Sequence, residues 1–347
     1  MGDSLPNEHG SGPTPRWLLE ILGIDRPKEG ASAELAGRKF VVRDGLLRAR
    51  SLLSGAQEQT SDVFGFKWQQ RDTFESEVSR ARIRTWLVER YGDLEGAPWW
   101  SEYGDRPLLL DAGCGAGVSS LELFGPRITM VRYLGVDVSA AVDVAAARFS
   151  ELGIPGGFLQ ADLVDLPLAP GSTQVIFSEG VLHHTDSTEH ALKALGKLLV
   201  PGGRLIFYVY RRKGPIREFT DDYVRARLQE MSPDKAWKAL EPLTKLGALL
   251  GDLDLEVDIP EDIELLDIPA GRINLQRLLY WHVMKAYHHP DLTFEEMNHI
   301  NYDWYAPRNA HRQSVEELRR WCEEAGFGIE RENVQQAGIT VIARKHS

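Results

Sequence analysis

A chain of 347 residues is long enough for one large domain or for a domain with sizeable insertions. Its 43% hydrophobic and 26% charged residues are ordinary globular usage, and a net charge of −11 argues against duplex nucleic acid as a partner, since phosphate binding needs clustered Lys and Arg. Two cysteines, Cys114 and Cys322, exclude a disulfide framework and a zinc site built from cysteines alone; with no apolar leader and no apolar run of 18 residues, the expectation is a soluble cytoplasmic protein without membrane spans.

In chain order, residues 1–15 hold Gly, Pro and Ser without periodicity and are expected to be disordered. Trp17 to Leu22 can form a helical turn. Lys39 to Leu47 reads as a hairpin, a β-rich run closed by Asp44-Gly45. Phe64-Gly65-Phe66-Lys67-Trp68 places two aromatic groups about a glycine, a large apolar payload on a flexible hinge. The spacing of Ile83, Trp86, Leu87 and Tyr91 predicts a helix over residues 73–91, closed by Gly92.

Three leucines then lead into Asp111-Ala112-Gly113-Cys114-Gly115-Ala116-Gly117-Val118. An apolar run ending in alternating glycines reads as a buried strand entering a tight turn, with a helix opening at Ser119. The loop fits a nucleotide cofactor. The dinucleotide fingerprint wants glycine at its sixth position, which here is Val118. Three more strand-like runs follow: Tyr133 to Val138 around Asp137, Gly156 to Asp162, and Gln174 to Glu179 followed by Gly180-Val181-Leu182-His183-His184. A helix over Ser187 to Leu199 and a Pro201-Gly202-Gly203 turn lead into a fifth strand.

These five segments, in this order, resemble the motifs of class I S-adenosylmethionine-dependent methyltransferases over about 100 residues. The resemblance implies an α/β fold: a doubly wound, seven-stranded Rossmann-like sheet with the last strand antiparallel, carrying a helical cap insertion and an N-terminal extension. It implies S-adenosyl-L-methionine as cofactor, held by Asp111, Gly113, Cys114, Gly115, Gly117, Val138 and Ser178, by Asp137 at the ribose, and by Asp162 and Leu163 at the adenine. The aromatic segment resembles one upstream of the cofactor domain in the same group, so Phe64 and Trp68 are expected to fold over the cofactor as a lid. The Asp44-Gly45 hairpin is either a zinc-ribbon relic that has lost its cysteines or an ordinary surface hairpin.

Residues 211–311 break the strand–helix alternation. Helical periodicity over 216–231 and 235–250, an acidic stretch over 252–267 and an apolar helix over 273–287 suggest an inserted cap that builds the acceptor pocket. Arg211, Tyr280, His299, Tyr302, Tyr305 and Arg308 are its candidate lining, and Arg211-Arg212-Lys213 could bind an anionic acceptor. His288 and His289 are adjacent and repeat no ligand spacing, so no metal is expected. Ser314-Val315-Glu316-Glu317 is a capping box, and two strands, 327–332 and 338–344, close the chain.

The domain reading is therefore 1–60 extension, 61–106 lid segment and helix, 107–210 cofactor core, 211–311 cap and 312–347 closing helix and strand pair. Glu179, His183 and His184, after the fourth strand, are the candidate bases. The expected function is methyl transfer to a small-molecule acceptor, in bacterial specialised metabolism, with acceptor atom and oligomeric state open. A dinucleotide-dependent oxidoreductase, a cofactor-binding protein without transfer, and methylation coupled to cyclisation stand as alternatives.

Overall fold

A computed structural model describes residues 14–49 and 53–347. Residues 1–13, most of the segment expected to be disordered, lie outside the described residues. The chain opens with α1 (Arg16–Leu22) and three short strands, β1 (Ser32–Leu35), β2 (Arg38–Arg43) and β3 (Leu46–Ala49). Arg43 faces Leu46 across the expected Asp44-Gly45 turn, whose φ values of 54° and 71° suit the right-handed strand twist. Two helices follow, α2 (Gly55–Gln69) and α3 (Glu77–Tyr91), each opened by a serine cap, Ser54 and Ser76.

The hinge expected around Gly65 is absent: Phe64 to Trp68 lie inside α2, and Gly65 is the point where that helix approaches Ser139 and Ala140. The second helix also starts later than its periodicity suggested, at Glu77, because the Ser76 hydroxyl accepts from the Ser79 amide at 3.0 Å.

The core alternates as expected: β4 (Leu108–Ala112), α4 (Val118–Phe124), β5 (Arg132–Asp137), α5 (Ala141–Glu151), β6 (Gly157–Gln160), β7 (Thr173–Glu179), α6 (Thr188–Leu198) and β8 (Leu199–Tyr210). The cap holds α7 (Pro215–Leu228), α8 (Pro233–Asp252), β9 (Glu256–Ile259), β10 (Gly271–Asn274), α9 (Leu275–His282) and α10 (Phe294–Tyr305). It departs from expectation in two ways. The acidic stretch contributes a strand, β9, paired antiparallel with β10. The apolar helix ends at His282, because buried side-chain amides take over the backbone groups beyond it: Gln276 Nε2 donates to the Ala286 carbonyl at 2.7 Å and the Tyr287 amide donates to Asn301 Oδ1 at 3.0 Å. The chain closes with α11 (Val315–Glu324), opened by the expected capping box, then β11 (Phe327–Val334) and β12 (Gly338–Lys345).

The main sheet runs β1-β2-β3-β6-β5-β4-β7-β8-β12-β11. Strands β6, β5, β4, β7 and β8 are parallel, and β12 enters antiparallel between β8 and β11. The sheet has ten strands rather than the expected seven, because β1, β2 and β3 extend it, β3 pairing parallel with β6 through Leu47–Leu159 and Arg48–Gln160. Arg48 clasps this join, donating to Asp143 at 2.7 Å and to Gln160 at 2.9 Å.

Alternation along the strands builds two apolar layers. Leu108, Leu110, Leu134, Val136, Ile176, Leu205 and Phe207 share one face with Ala191, Leu195 and Leu318 of α6 and α11. Leu109, Tyr133, Val175, Phe177 and Ile206 share the other with Leu87, Phe124, Val142 and Phe149 of α3, α4 and α5. Each such fully buried side chain contributes about 1.5–3 kcal/mol, enough to fix the strand register and hence the loops at the strand ends. Among the described residues, no helix is long and apolar enough to cross a membrane.

Candidate active site

Strand order reverses where β5 and β7 flank β4, and ligands of open α/β sheets bind at such a switch point, beyond the carboxyl ends of the strands. A cavity of about 1160 Å³ opens there. Its wall includes Gly113 after β4, Asp137 and Val138 after β5, Asp162 and Leu163 after β6, and Glu179, Gly180 and Val181 after β7. Three helices close it, each with a stripe of helical spacing: Gln57, Thr60, Phe64, Lys67 and Trp68 from α2; Ser79, Arg82, Ile83 and Trp86 from α3; Glu296, His299, Ile300, Asp303 and Trp304 from α10.

At the strand ends, Gly113 takes φ 85° and has no room for a side chain: an added Cβ would meet Val181 at 2.3 Å. Gly115 takes φ 50°, and an added Cβ would lie 2.8 Å from the Trp68 indole nitrogen. Helix α2 is thus seated directly on the glycine turn. The Asp137 carboxylate accepts from the Gly115 amide at 2.9 Å and from the Ser139 amide and hydroxyl at 2.8 and 2.6 Å. Burial raises its pKa, against those donors. Burial likewise raises Asp162, which accepts from the Val164 amide at 3.2 Å.

Other residues expected at the cofactor turn away. Asp111 accepts from the Ser120 and Tyr133 hydroxyls, and burial pushes its pKa up to about 6 against those bonds. Ser178 donates to the Ala112 carbonyl at 2.8 Å, tying β7 to β4. Cys114 is buried, its Sγ 3.7 Å from the Gly115 carbonyl, and Gly117 packs against Phe149. None of these four side chains or positions is part of the cavity wall.

The three candidate bases separate. Glu179 reaches the cavity, but Arg90 donates to one of its oxygens at 2.7 Å and the Tyr91 hydroxyl donates to the other. Arg90 is itself 0% exposed and held between the Trp86 and Tyr208 rings, 3.5 and 3.6 Å from their centres. Glu179 therefore serves as the counter-charge of a buried guanidinium, which corrects its reading as a free base. His183 is buried 3.7 Å from the Tyr210 ring, outside the cavity wall, with no hydrogen-bond partner at either nitrogen; burial and the adjacent His184 hold its pKa well down. His184 does line the cavity. Its Nδ1 lies 2.6 Å from the Asn309 carbonyl, which requires a proton there and leaves Nε2 as a lone pair without a partner. Burial draws its pKa down to about 4.

In the cap, Tyr280 and His299 line the cavity, with His299 Nδ1 2.7 Å from the Thr73 hydroxyl. Tyr302 and Tyr305 do not. They lie on the other face of α10, with Tyr302 against Phe66 and Trp237 and the Tyr305 hydroxyl accepting from the Lys285 amide at 2.7 Å. Arg308 pairs with Glu230, and Arg211 stands exposed beyond β8; of the basic run 211–213 only Lys213 reaches the cavity. Sequence reasoning missed Lys67, Arg217, Lys285 and Asp303. Lys67, 5% exposed, pairs with Asp303, which also accepts from the Tyr210 hydroxyl at 2.8 Å. Burial would raise the Asp303 carboxyl, but the Lys67 ammonium, with His184 and Lys285 nearby, holds it well below the usual range. The stripe Glu296–His299–Asp303 was the available signal for this face. Among the described residues no cluster of His, Cys, Asp or Glu could hold a metal ion.

Residues 110–207 match the family described as a methyltransferase domain. This segment is similar to that domain, and the match spans less than a third of the chain. The cofactor expected of such a domain is S-adenosylmethionine. The residues at the strand ends fit that group: a side-chain-free turn at Gly113 and two carboxylates, Asp137 and Asp162, on one wall. Relatives of the methyltransferase domain include an uncharacterized protein of Synechococcus sp., 38% identical over 114 residues, covering 31% of this chain and 27% of that one. A probable tRNA methyltransferase 9B of Bos taurus is 30% identical over 139 residues, covering 37% and 28%. An uncharacterized methyltransferase of Mycobacterium bovis is 34% identical over 97 residues, covering 28% and 47%. The matched part is thus between about a quarter and a half of each relative's length.

Proposed function

We propose that the chain transfers a methyl group from S-adenosylmethionine to a small-molecule acceptor enclosed between α2, α3 and the cap. The observation that carries this reading is the continuity of one cavity, from Asp137 and Asp162 at the strand ends to Tyr280, Trp281 and Trp304 in the cap. When bound, the cofactor supplies an electrophilic methyl carbon. Asp137 and Val138 hold the ribose end, and Asp162 and Leu163 the adenine end. Phe64 and Trp68 on α2 exclude water from above the glycine turn, and the cap aromatics orient the acceptor, so most of the rate comes from positioning. His184 takes the base role through Nε2: it accepts the hydrogen bond of the acceptor's nucleophilic atom and orients that atom's lone pair.

Calorimetric titration with S-adenosylhomocysteine tests the cofactor end. Asp137→Ala is expected to weaken binding by about 1–3 kcal/mol, the cost of leaving buried donors unpaired. Tritiated-methyl transfer to a panel of small aromatic acceptors, run beside a tRNA transcript, tests the acceptor end. Labelled small molecule supports the reading, labelled tRNA replaces it, and NAD binding in place of S-adenosylhomocysteine overturns it.

A further inference from the structure

The indole of Trp304 forms part of the cavity wall and gathers four cations. Lys285 Nζ lies 4.8 Å from its ring centre, Arg225 5.1 Å, Arg217 5.3 Å and Lys213 5.7 Å. Three of them are answered within the chain. Arg217 donates to Asp221 at 2.9 Å, Arg225 to Asp222 and to the Trp304 carbonyl, and Lys213 to the carbonyls of Gln336 and Ala337. Lys285 is not answered. It is 7% exposed, lines the cavity, and has no hydrogen-bond or ion-pair partner for its ammonium among the described residues.

The nearest candidate counter-charge, Asp303, is already engaged by Lys67 and Tyr210. The Lys285 side chain therefore faces the cavity without a protein counter-charge of its own, a place that an entering anion can fill. Lys285 is also held in place. Its own amide donates to Tyr305, and the two residues after it are pinned by Gln276 and Asn301. The same wall is aromatic, with Tyr280 and Trp281 packed edge to face at 4.5 Å, and Tyr208 and Tyr210 opposite the cap.

We propose that the acceptor end of the cavity takes an aromatic carboxylate, its anionic group set against the Lys285 ammonium beside Trp304. The proposal rests on the methyl-transfer reading and names the substrate class of that same site. Burial draws the Lys285 pKa down to about 7, with Asp303 opposing and Arg217 adding to the shift, and an entering carboxylate would restore the charged form.

The test uses the full chain saturated with S-adenosylhomocysteine and two matched probes, 2-naphthoate and 2-naphthamide, titrated by calorimetry. The acid is expected to bind more tightly than the amide by about ten-fold, the range of one charge-assisted hydrogen bond. Lys285→Met should abolish that preference and Lys285→Arg should retain part of it. Equal affinity of acid and amide for the wild-type protein overturns the proposal, as does a preference that survives Lys285→Met or an acid that fails to bind. The wild-type comparison needs no variant to fold. The S-adenosylhomocysteine titration is separate: if it succeeds while the acid preference fails, only the substrate class falls, and if it fails, the underlying reading falls first.

Discussion

Lys67 on α2 and Asp303 on α10, 236 residues apart in the chain, form an ion pair on the cavity wall, and the Lys67 ammonium also sits 4.0 Å over the Trp68 ring. The pair ties the helix above the glycine turn to the cap. Lys67→Met leaves the Asp303 carboxylate without its main counter-charge and is expected to destabilise the fold by about 3 kcal/mol, since breaking a buried pair strands the other charge. Lys67→Met combined with Asp303→Asn should recover part of that loss. Urea unfolding of the two singles and the double gives the coupling directly.

The contact of Trp68 with Gly115 makes a second prediction. Gly115→Ala must hold a Cβ at φ 50° and push the indole away. The backbone term alone costs about 1–2 kcal/mol. Affinity for S-adenosylhomocysteine is expected to fall by more than that, because α2 moves too. Adding Trp68→Ala removes the collision but not the backbone strain, so the double variant should still show the smaller loss.

Glu179 is expected to matter for stability rather than for proton transfer. Glu179→Ala strands the Arg90 guanidinium, which has no water to turn to, and should cost about 3–5 kcal/mol. His184→Gln should lower turnover with the melting temperature and cofactor affinity little changed. A Glu179 variant that folds normally yet loses turnover would reverse these assignments.

Acid should destabilise the protein through His184. Its pKa is near 6.5 when unfolded and about 4 when folded, so between those values only the unfolded chain takes up the proton. Stability present above pH 6.5 is therefore lost as pH falls toward 4, by about 3 kcal/mol. His183 is shifted the same way by burial and adds to the slope. Asp111, whose carboxyl burial lifts to about 6, takes up its proton first in the folded state and opposes this slope, so the expected signal is the difference: between pH 7 and pH 4 the urea midpoint should fall further for the wild-type protein than for His184→Gln.

What could be read from the sequence was local. The glycine turn, the carboxylates ending successive strands, the Asp44-Gly45 hairpin and the Ser314 capping box are each written within about ten residues. The extent of α10, and so the choice between Tyr302 and Asp303 as a pocket residue, was lost because four aromatic and acidic residues in a row hide the helical period. Long-range pairing was not legible at all. Nothing near Glu179 announces Arg90 and Tyr91, 89 and 88 residues earlier, and a glutamate after a strand reads as a base until its partners are seen.

The N-terminal hairpins have a consequence for any shortened form of this protein. With β3 laid along β6 and Arg48 clasping the join, the open border of the sheet falls at β1, a strand of four residues. A chain begun at α2 would instead present the unpaired amides and carbonyls of β6 to solvent, and such rows recruit strands from neighbouring molecules. Self-association, measurable by light scattering, is the defect to look for in that truncation before any failure to fold.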